Sequence, residues 1–251
     1  MQSITAFFRF YEELNDFLPK EKKKILFPHQ FSPSATVKDI IESLGVPHAE
    51  VDLILVNGKS VDFSFQLTEG DQVSIYPVFE LFDISPLYKL RPEPLRKIRF
   101  ILDVHLGKLA RYLRLLGFDT RYDTQYPDNE IIAISKKENR IILTRDIGLL
   151  KNKQVTHGYW LRETDPKKQV REIIKKFDLI KKCKPFTRCL ECNGEITSID
   201  QSTIDRTTIP VRVKEIQSDF YQCVSCQRTY WQGTHYKKLM GLVEEWIGAM
   251  K

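Results

Sequence analysis

The sequence lacks long hydrophobic runs, internal repeats and low-complexity tracts. No apolar stretch approaches the roughly 18 residues that a membrane-spanning helix needs. The opening residues MQSITAFFRF have neither the basic segment nor the cleavage site of a signal peptide, so we expect a cytoplasmic protein. The chain has 251 residues, of which 42% are hydrophobic and 29% charged, which is enough to form one or two globular domains.

Cysteine is also scarce, and the five present do not suit a disulfide framework because their number is odd. Four of them form the C-x-x-C pairs Cys189/Cys192 and Cys223/Cys226, separated by 30 residues. Two such pairs can supply the four thiolates of a closed, tetrahedral zinc site. We therefore predict a zinc ribbon within residues 181–251, and we interpret Cys183 as a small buried thiol.

Charge is distributed unevenly along the chain. Residues 1–79 contain 7 Lys and Arg against 11 Asp and Glu, a net charge of −4, whereas residues 99–180 contain 17 against 11, a net charge of +6. A basic region suits a polyanionic partner because each neutralised phosphate releases counterions. The central part of the chain is therefore the better candidate for contact with nucleic acid.

Residues 1–80 predict a small α+β domain. SITAFFRF and KILFPHQF have strand character, and SATVKDIIESLG predicts a helix that Ser34 caps and Gly45 ends. LILVNG and QVSIYPVF supply two more strands, which gives the order ββαββ. This order, with NGK and EGDQVSIYPVF, resembles the ubiquitin-like β-grasp proteins of the sulfur-carrier group. Those carriers end in a free diglycine, and here the chain continues, so we expect either a docking module for a protein partner or a structural module.

Strands and helices alternate after a proline-containing linker at residues 81–97. IRFIL, FDTRY, RIILT and VTHGYWL predict strands, and the segments between them predict helices, including one from Pro166 to about Phe177 with Asp165 as its N-cap. This alternation is typical of right-handed βαβ units and a parallel sheet. We assign this α/β domain to residues 98–180.

Three aspartates follow the predicted strands or open the helices after them. Asp103 follows IRFIL, Asp146 follows RIILT, and Asp128 begins the second helix. Residues at the carboxyl ends of parallel strands share one edge of the sheet, and clustered carboxylates are stable around Mg²⁺ or Mn²⁺. Such an ion can activate water for hydrolysis of a phosphodiester. The alternative is that each aspartate is an ordinary helix N-cap.

Basic side chains surround this predicted site. The first helix carries Lys108, Arg111 and Arg114 at spacings of three, and Arg145 precedes Asp146. We interpret all four as candidate ligands of phosphates. The alternative is solvated surface charge for the three helix residues and pairing with a carboxylate for Arg145.

The strings RFILDVHLGKLARYLRLLGFDT, IILTRDIGLL, CLECNG and YQCVSCQRTYWQGTHY resemble the Mut7-C group of ribonucleases. The resemblance implies a PIN-like nuclease domain, a C-terminal zinc ribbon and metal-dependent RNA cleavage by Asp103, Asp128 and Asp146. Some members also have an N-terminal ubiquitin-like domain. A further acid is expected, and the candidates are Asp123, Glu130 and Glu163.

The sequence is compatible with three functions. The leading hypothesis is a ribonuclease that uses Mg²⁺ or Mn²⁺ on tRNA or another structured RNA. The second is a non-catalytic RNA-binding adaptor, in which the aspartates are caps and the β-grasp domain recruits a partner. The third, a sulfur carrier, is disfavoured by the missing diglycine. The motif WQGTHY includes His235, which we interpret as either a substrate contact or a structural histidine.

Overall fold

The computed structural model describes residues 3–77, 98–200, 209, 210, 213 and 217–248. The described strands are β1 Ile4–Phe10, β2 Phe27–Phe31, β3 Val51–Val56, β4 Lys59–Val61, β5 Gln72–Pro77, β6 Phe100–Leu102, β7 Thr120–Arg121, β8 Ile141–Thr144, β9 Gly158–Trp160, β10 Ile196–Ile199, β11 Phe220–Cys223 and β12 Thr229–Trp231. The described α-helices are α1 Val37–Ser43, α2 Gly107–Leu115, α3 Asp128–Glu138, α4 Ile147–Leu150, α5 Pro166–Lys176 and α6 Thr234–Gly248. Short 3₁₀ helices span Glu12–Phe17, Lys20–Lys22, His48–Glu50, Val104–Leu106 and Ile180–Lys182.

The chain divides into two compact units. One contains Met1–Lys97 and Asp128–Trp160, and the other contains Ile98–Pro127 and Leu161–Lys251. The linker predicted at 81–97 lies outside the described residues. No helix in the described part of the chain has the length and apolar character needed to cross a membrane.

The N-terminal residues form the predicted β-grasp fold. Five strands form a mixed sheet in the order β2-β1-β5-β3-β4, in which β1 and β5 are parallel. The buried faces of the strands and of α1 share one hydrophobic core, because alternate strand residues and the apolar stripe of the helix point to the same side. The strand β4 was not predicted; it follows the turn at Asn57 and Gly58, both of which have positive φ.

Helix α1 begins two residues later than the sequence analysis predicted. Thr36, not Ser34, is its N-cap, and its hydroxyl accepts a hydrogen bond from the Asp39 amide at 3.2 Å. The Asp39 carboxylate in turn accepts from the Thr36 amide at 3.0 Å, which completes a capping box. Gly45, with φ +103°, follows the end of the helix as predicted.

Residues 128–160 belong to the same unit as the β-grasp fold. Strands β8 and β9 are parallel, as the alternating order of elements predicted. The buried imidazole of His48 contacts the Val155 carbonyl through Nε2 at 2.8 Å. Lys151 Nζ donates to the Glu42 carbonyl at 2.9 Å, and the Trp160 amide donates to the buried Glu50 carboxylate. These bonds link α1 and the 3₁₀ turn after it to the segment that runs from the end of α4 to β9.

The second unit begins with the parallel pair β6 and β7. Helix α2 starts at Gly107, after a 3₁₀ turn, and packs against α5. Helix α5 has the predicted Asp165 N-cap, whose side chain accepts from the amides of Lys167 and Lys168, both at 3.0 Å.

The ribbon forms an antiparallel sheet in the order β10-β11-β12, followed by α6. Phe220 on β11 lies opposite Trp231 on β12, and both pack into a small core with Ile209. Tyr221 and Tyr230 form the next cross-strand pair and therefore lie on the other face of the sheet. The strand predicted for TIPVRVKEI lies largely outside the described residues.

Candidate functional site

The four predicted zinc ligands lie together. All four Sγ atoms of Cys189, Cys192, Cys223 and Cys226 are within 4.8 Å of one another. The Sγ atoms of Cys189 and Cys226 are 3.6 Å apart, and those of Cys192 and Cys223 are 3.3 Å apart. Four thiolates about 2.3 Å from a central ion have nearly this spacing. The donor set and its geometry therefore fit a tetrahedral zinc ion, and the cluster could bind one.

Local hydrogen bonds favour the thiolate form at Cys189. Burial raises the pKa of this thiol, but bonds from the Cys192 amide and from the Tyr230 hydroxyl, 3.0 Å away, outweigh burial and lower the pKa to about 6. Cys183 instead favours the neutral thiol. Burial raises its pKa to about 11, and its thiol donates to the Leu179 carbonyl at 3.3 Å. Cys183 is thus a half-buried structural thiol.

Arg114 does not have the role that the sequence analysis predicted. Its side chain is buried, and its Nε donates to the Thr120 carbonyl at 2.9 Å. Its Nη1 donates to the carbonyls of Leu190 and Glu191, at 3.1 and 2.7 Å, inside the first cysteine knuckle. The guanidinium is therefore occupied in joining α2 to the ribbon, and it is not a surface ligand for RNA.

Asn193 makes a second link between the ribbon and β7, which sequence reasoning missed. Its Oδ1 accepts from the Thr120 amide at 2.8 Å, and its Nδ2 donates to Asp119 at 2.7 Å. Asn193 has φ +69°, a left-handed conformation that Asn tolerates better than most residues. An Asn-Gly pair directly after C-x-x-C was the available sequence signal for this turn.

Asp103 lies directly after β6, as predicted. It is partly exposed and precedes the 3₁₀ turn Val104–Leu106, but its side chain makes no capping hydrogen bond there. The N-cap interpretation is therefore not supported at Asp103. This residue belongs to the second unit.

Asp146 and Asp128 belong to the first unit, and both are exposed. Asp146 is the N-cap of α4, since its Oδ1 accepts from the Gly148 amide at 2.7 Å. A carboxylate has about four acceptor positions, so this single bond leaves capacity for a cation. Asp128 opens α3, as predicted. That the three aspartates converge on one ion stays a prediction.

The other candidate acids are placed as follows. Asp123 and Glu130 are exposed, and the Asp123 carboxylate accepts from the Gln125 amide at 2.9 Å, which closes a local turn. Glu163 is partly exposed, in the segment before α5. Within the part of the chain that the structure describes, no group of three or more His, Cys, Asp or Glu side chains besides the cysteine cluster has its ligand atoms within 4.8 Å.

The remaining basic candidates lie at the surface. Lys108 and Arg145 are exposed, and Arg111 is half exposed with its Nη2 3.0 Å from Glu191. His235 is exposed in the first turn of α6. Their contact with RNA stays a prediction.

Comparison with known families identifies the larger part of the chain. Residues 98–243, more than half of the sequence, match the family model described as Mut7-C RNAse domain. The chain belongs to the Mut7-C RNAse domain family. Residues 3–83 of this Mut7-C protein match a second model, Mut7-C ubiquitin, which agrees with the β-grasp fold described above. No curated protein matches the sequence.

Solved structures from Haloferax volcanii resemble a part of the Mut7-C chain. The HVO 2177 protein is 22% identical, with a TM-score of 0.25, and the match covers 30% of this chain and 83% of that one. Two structures of small archaeal modifier protein 1 are 15% and 14% identical, with TM-scores of 0.24 and 0.25. Each match covers 30% of this chain, and 97% and 96% of the respective modifier chain.

Proposed function

We propose that this protein is a ribonuclease that hydrolyses RNA phosphodiester bonds with the help of Mg²⁺ or Mn²⁺. The observation that carries the proposal is the match of residues 98–243 to the Mut7-C RNAse domain. Two features of the structure support it. Asp103 directly follows β6, and Asp146 follows β8 with one residue between them. Asp146 and Asp128 are also exposed to solvent.

The donor set suits a hard divalent cation bound only partly by protein. Mg²⁺ usually keeps several water ligands and is held by one or two carboxylates together with substrate phosphates. This agrees with exposed aspartates that do not need to form a complete cage before RNA binds. We assign Asp146, Asp103 and Asp128 as the protein ligands. A bound ion of this kind supplies an activated water molecule and stabilises charge on the phosphate.

We propose that basic side chains position the RNA. Arg145, adjacent to Asp146, and Lys108, in the first turn of α2, are exposed cations that can contact phosphate oxygens. Arg111, whose Nη2 lies 3.0 Å from Glu191, is a third candidate. We propose zinc in the cysteine cluster as a structural ion, because four thiolates leave no open position for substrate. A tRNA or another structured RNA remains our candidate substrate, and the protein is proposed to act in the cytoplasm.

A second candidate function is a non-catalytic RNA-binding adaptor. The observation that favours it is the capping bond of Asp146 to Gly148, which gives this aspartate a structural role without chemistry. In both functions we propose that the β-grasp domain binds a protein partner.

Metal dependence separates these two functions. The purified zinc-loaded protein, dialysed free of other divalent ions, is incubated with mixed cellular RNA alone, with Mn²⁺, with Mg²⁺ or with Ca²⁺. We expect RNA loss with Mn²⁺ or Mg²⁺ and none without added metal, while elemental analysis gives unchanged zinc content. RNA that stays intact under every condition would favour the adaptor, and loss independent of added metal would point to a contaminating nuclease.

A further inference from the structure

A pocket of about 850 Å³ lies in the second unit, between the ribbon and the first turns of α6. Its size is within the range of sites that hold small molecules or single nucleotides. The lining includes all six residues of the motif WQGTHY, to which the proposed cleavage chemistry gives no role. Neither the cysteine ligands nor the three aspartates are among the residues that line it.

Two pairs of aromatic side chains form part of the lining. Tyr221 lies on the ribbon face opposite the small core, beside Tyr230, whose hydroxyl contacts Cys189. Phe186 and Tyr236 form a second pair with ring centroids 4.5 Å apart. All four rings are partly exposed, so the pocket presents aromatic surface that the fold does not bury.

Gly233 lies in the pocket lining, directly against the Trp231 indole. A Cβ atom at Gly233 would lie 2.9 Å from Nε1 of the Trp231 indole, which is closer than packed atoms approach. The absence of a side chain therefore lets the turn before α6 pass against the indole. This close approach gives a physical reason for glycine in WQGTHY.

The charge of the lining favours an anion. Among the described residues that line the pocket, the arginines are Arg111, Arg188 and Arg228, and the acidic residue is Glu191. Arg111 and Arg228 both face Glu191, at 3.0 and 3.8 Å, so one carboxylate is shared between two guanidinium groups. Arg188 donates to the Asn193 carbonyl at 2.9 Å and lies 3.9 Å from Asp119, so the positive charge in excess comes from Arg111 and Arg228. The net positive charge beside aromatic rings distinguishes the pocket from a purely hydrophobic groove.

We propose that this pocket binds an unpaired nucleotide of single-stranded RNA, with its base against Tyr221 and its phosphate near Arg228. Unstacked bases pack on aromatic side chains in most single-strand RNA sites, and arginine neutralises the adjacent phosphate. The inference rests on the proposed ribonuclease function for the identity of the ligand. It adds a binding subsite on the ribbon, whose lining includes none of the aspartates that are proposed to carry the cleavage.

The test measures binding without cleavage. A labelled 12-nucleotide single-stranded RNA of mixed sequence is titrated with the zinc-loaded full chain, without Mg²⁺ or Mn²⁺, and fluorescence anisotropy gives Kd. Tyr221→Leu removes the ring and keeps an apolar side chain, so Kd should rise about fivefold or more, because stacking on one base is lost. Tyr221→Phe keeps the ring and should bind within about twofold of the wild type.

Charge is tested separately through salt dependence. Arg228→Gln should lower the slope of log K against log salt by about 0.7, the value for one single-strand phosphate contact. Lys182→Gln, which removes an exposed charge that does not line the pocket, should leave the slope unchanged. Equal zinc content and circular dichroism identify variants that remain folded.

Cross-linking provides a measurement on the unaltered protein. RNA containing 4-thiouridine should cross-link to peptides that contain Tyr221 or Tyr236. Unchanged Kd in Tyr221→Leu, or cross-links confined to other surfaces, would overturn the subsite even if metal-dependent cleavage is normal. If the wild type binds this RNA through the pocket but never cleaves RNA, the subsite stands and the ribonuclease proposal fails. If it binds no RNA at all, the subsite fails, and an acidic peptide becomes the better ligand for the pocket.

Discussion

Each thiol of the cysteine cluster has its own local environment. The Gly194 amide donates to Cys192 at 3.4 Å, and the Ser225 amide donates to Cys223 at the same distance. The Tyr230 hydroxyl contacts Cys189. Donors of this kind stabilise negative charge on sulfur and fix the direction of each side chain before an ion binds. At the scale of residues, the cluster is therefore arranged as a closed structural site.

Replacing one ligand should remove the ion, and Cys183 offers a matched control. We expect the wild type and Cys183→Ser to contain about one zinc per chain, and Cys223→Ser to contain much less, because three thiolates and a weak hydroxyl bind zinc poorly. Elemental analysis of the purified proteins checks this. The assignment is wrong if Cys223→Ser retains the zinc content of Cys183→Ser.

The cysteine cluster was predictable from the sequence because ligand spacing within C-x-x-C is a local property of the chain. Asn193 was not, because its partners Asp119 and Thr120 are more than seventy residues away in the sequence. The role of Asp146 was predictable only in part. Its position after a buried strand favours both capping and metal binding. The structure contains the capping bond to Gly148, and metal binding by Asp146 stays a prediction.

At the scale of elements, helix α2 also shows that local sequence does not predict contacts with distant residues. Residues spaced by three rotate by about 60° per step around a helix of 3.6 residues per turn, so Lys108 and Arg114 differ by about 120°. Lys108 consequently faces solvent, whereas Arg114 faces inward and is only 4% exposed. The sequence predicted the helix correctly but could not show that a charged residue would be buried at its inner face, because the carbonyls that bind it belong to the distant ribbon.

The stability of the ribbon should depend strongly on Arg114 and weakly on Arg111. Arg114→Met leaves three carbonyls without their charged donor and should cost roughly 2–4 kcal/mol. Arg111→Met removes a half-exposed ion pair and should cost less than about 1 kcal/mol. Urea titrations followed by zinc release to a chromophoric chelator would compare the two. Equal losses of stability would contradict the structural role of Arg114.

At the scale of the whole molecule, sequence order predicted the kinds of fold better than it predicted the contacts between segments. Hydrophobic alternation and the turn residues predicted the order ββαββ, and the resemblance of that order to ubiquitin-like proteins implied the β-grasp fold. The alternation of strands and helices predicted parallel pairing. The contacts of His48 with Val155 and of Glu50 with Trp160 join residues more than a hundred positions apart. No local pattern in the sequence could indicate them.

The central claim is that exposed aspartates of this Mut7-C protein support metal-dependent cleavage of RNA. Asp146 and Asp165 form a matched pair for testing it, because both are exposed helix N-caps. Asparagine caps a helix about as well as aspartate, so each Asp→Asn variant keeps its helix while losing one negative charge. A difference between the two variants would therefore report chemistry and not folding.

The decisive measurement is the initial rate of RNA cleavage at saturating Mn²⁺ for the wild type, Asp146→Asn and Asp165→Asn. We expect Asp165→Asn to cleave within about twofold of the wild-type rate and Asp146→Asn to be slower by on the order of 100-fold, the typical effect of removing one group from the reaction. Equal rates for Asp146→Asn and Asp165→Asn would contradict the claim that Asp146 belongs to the catalytic site.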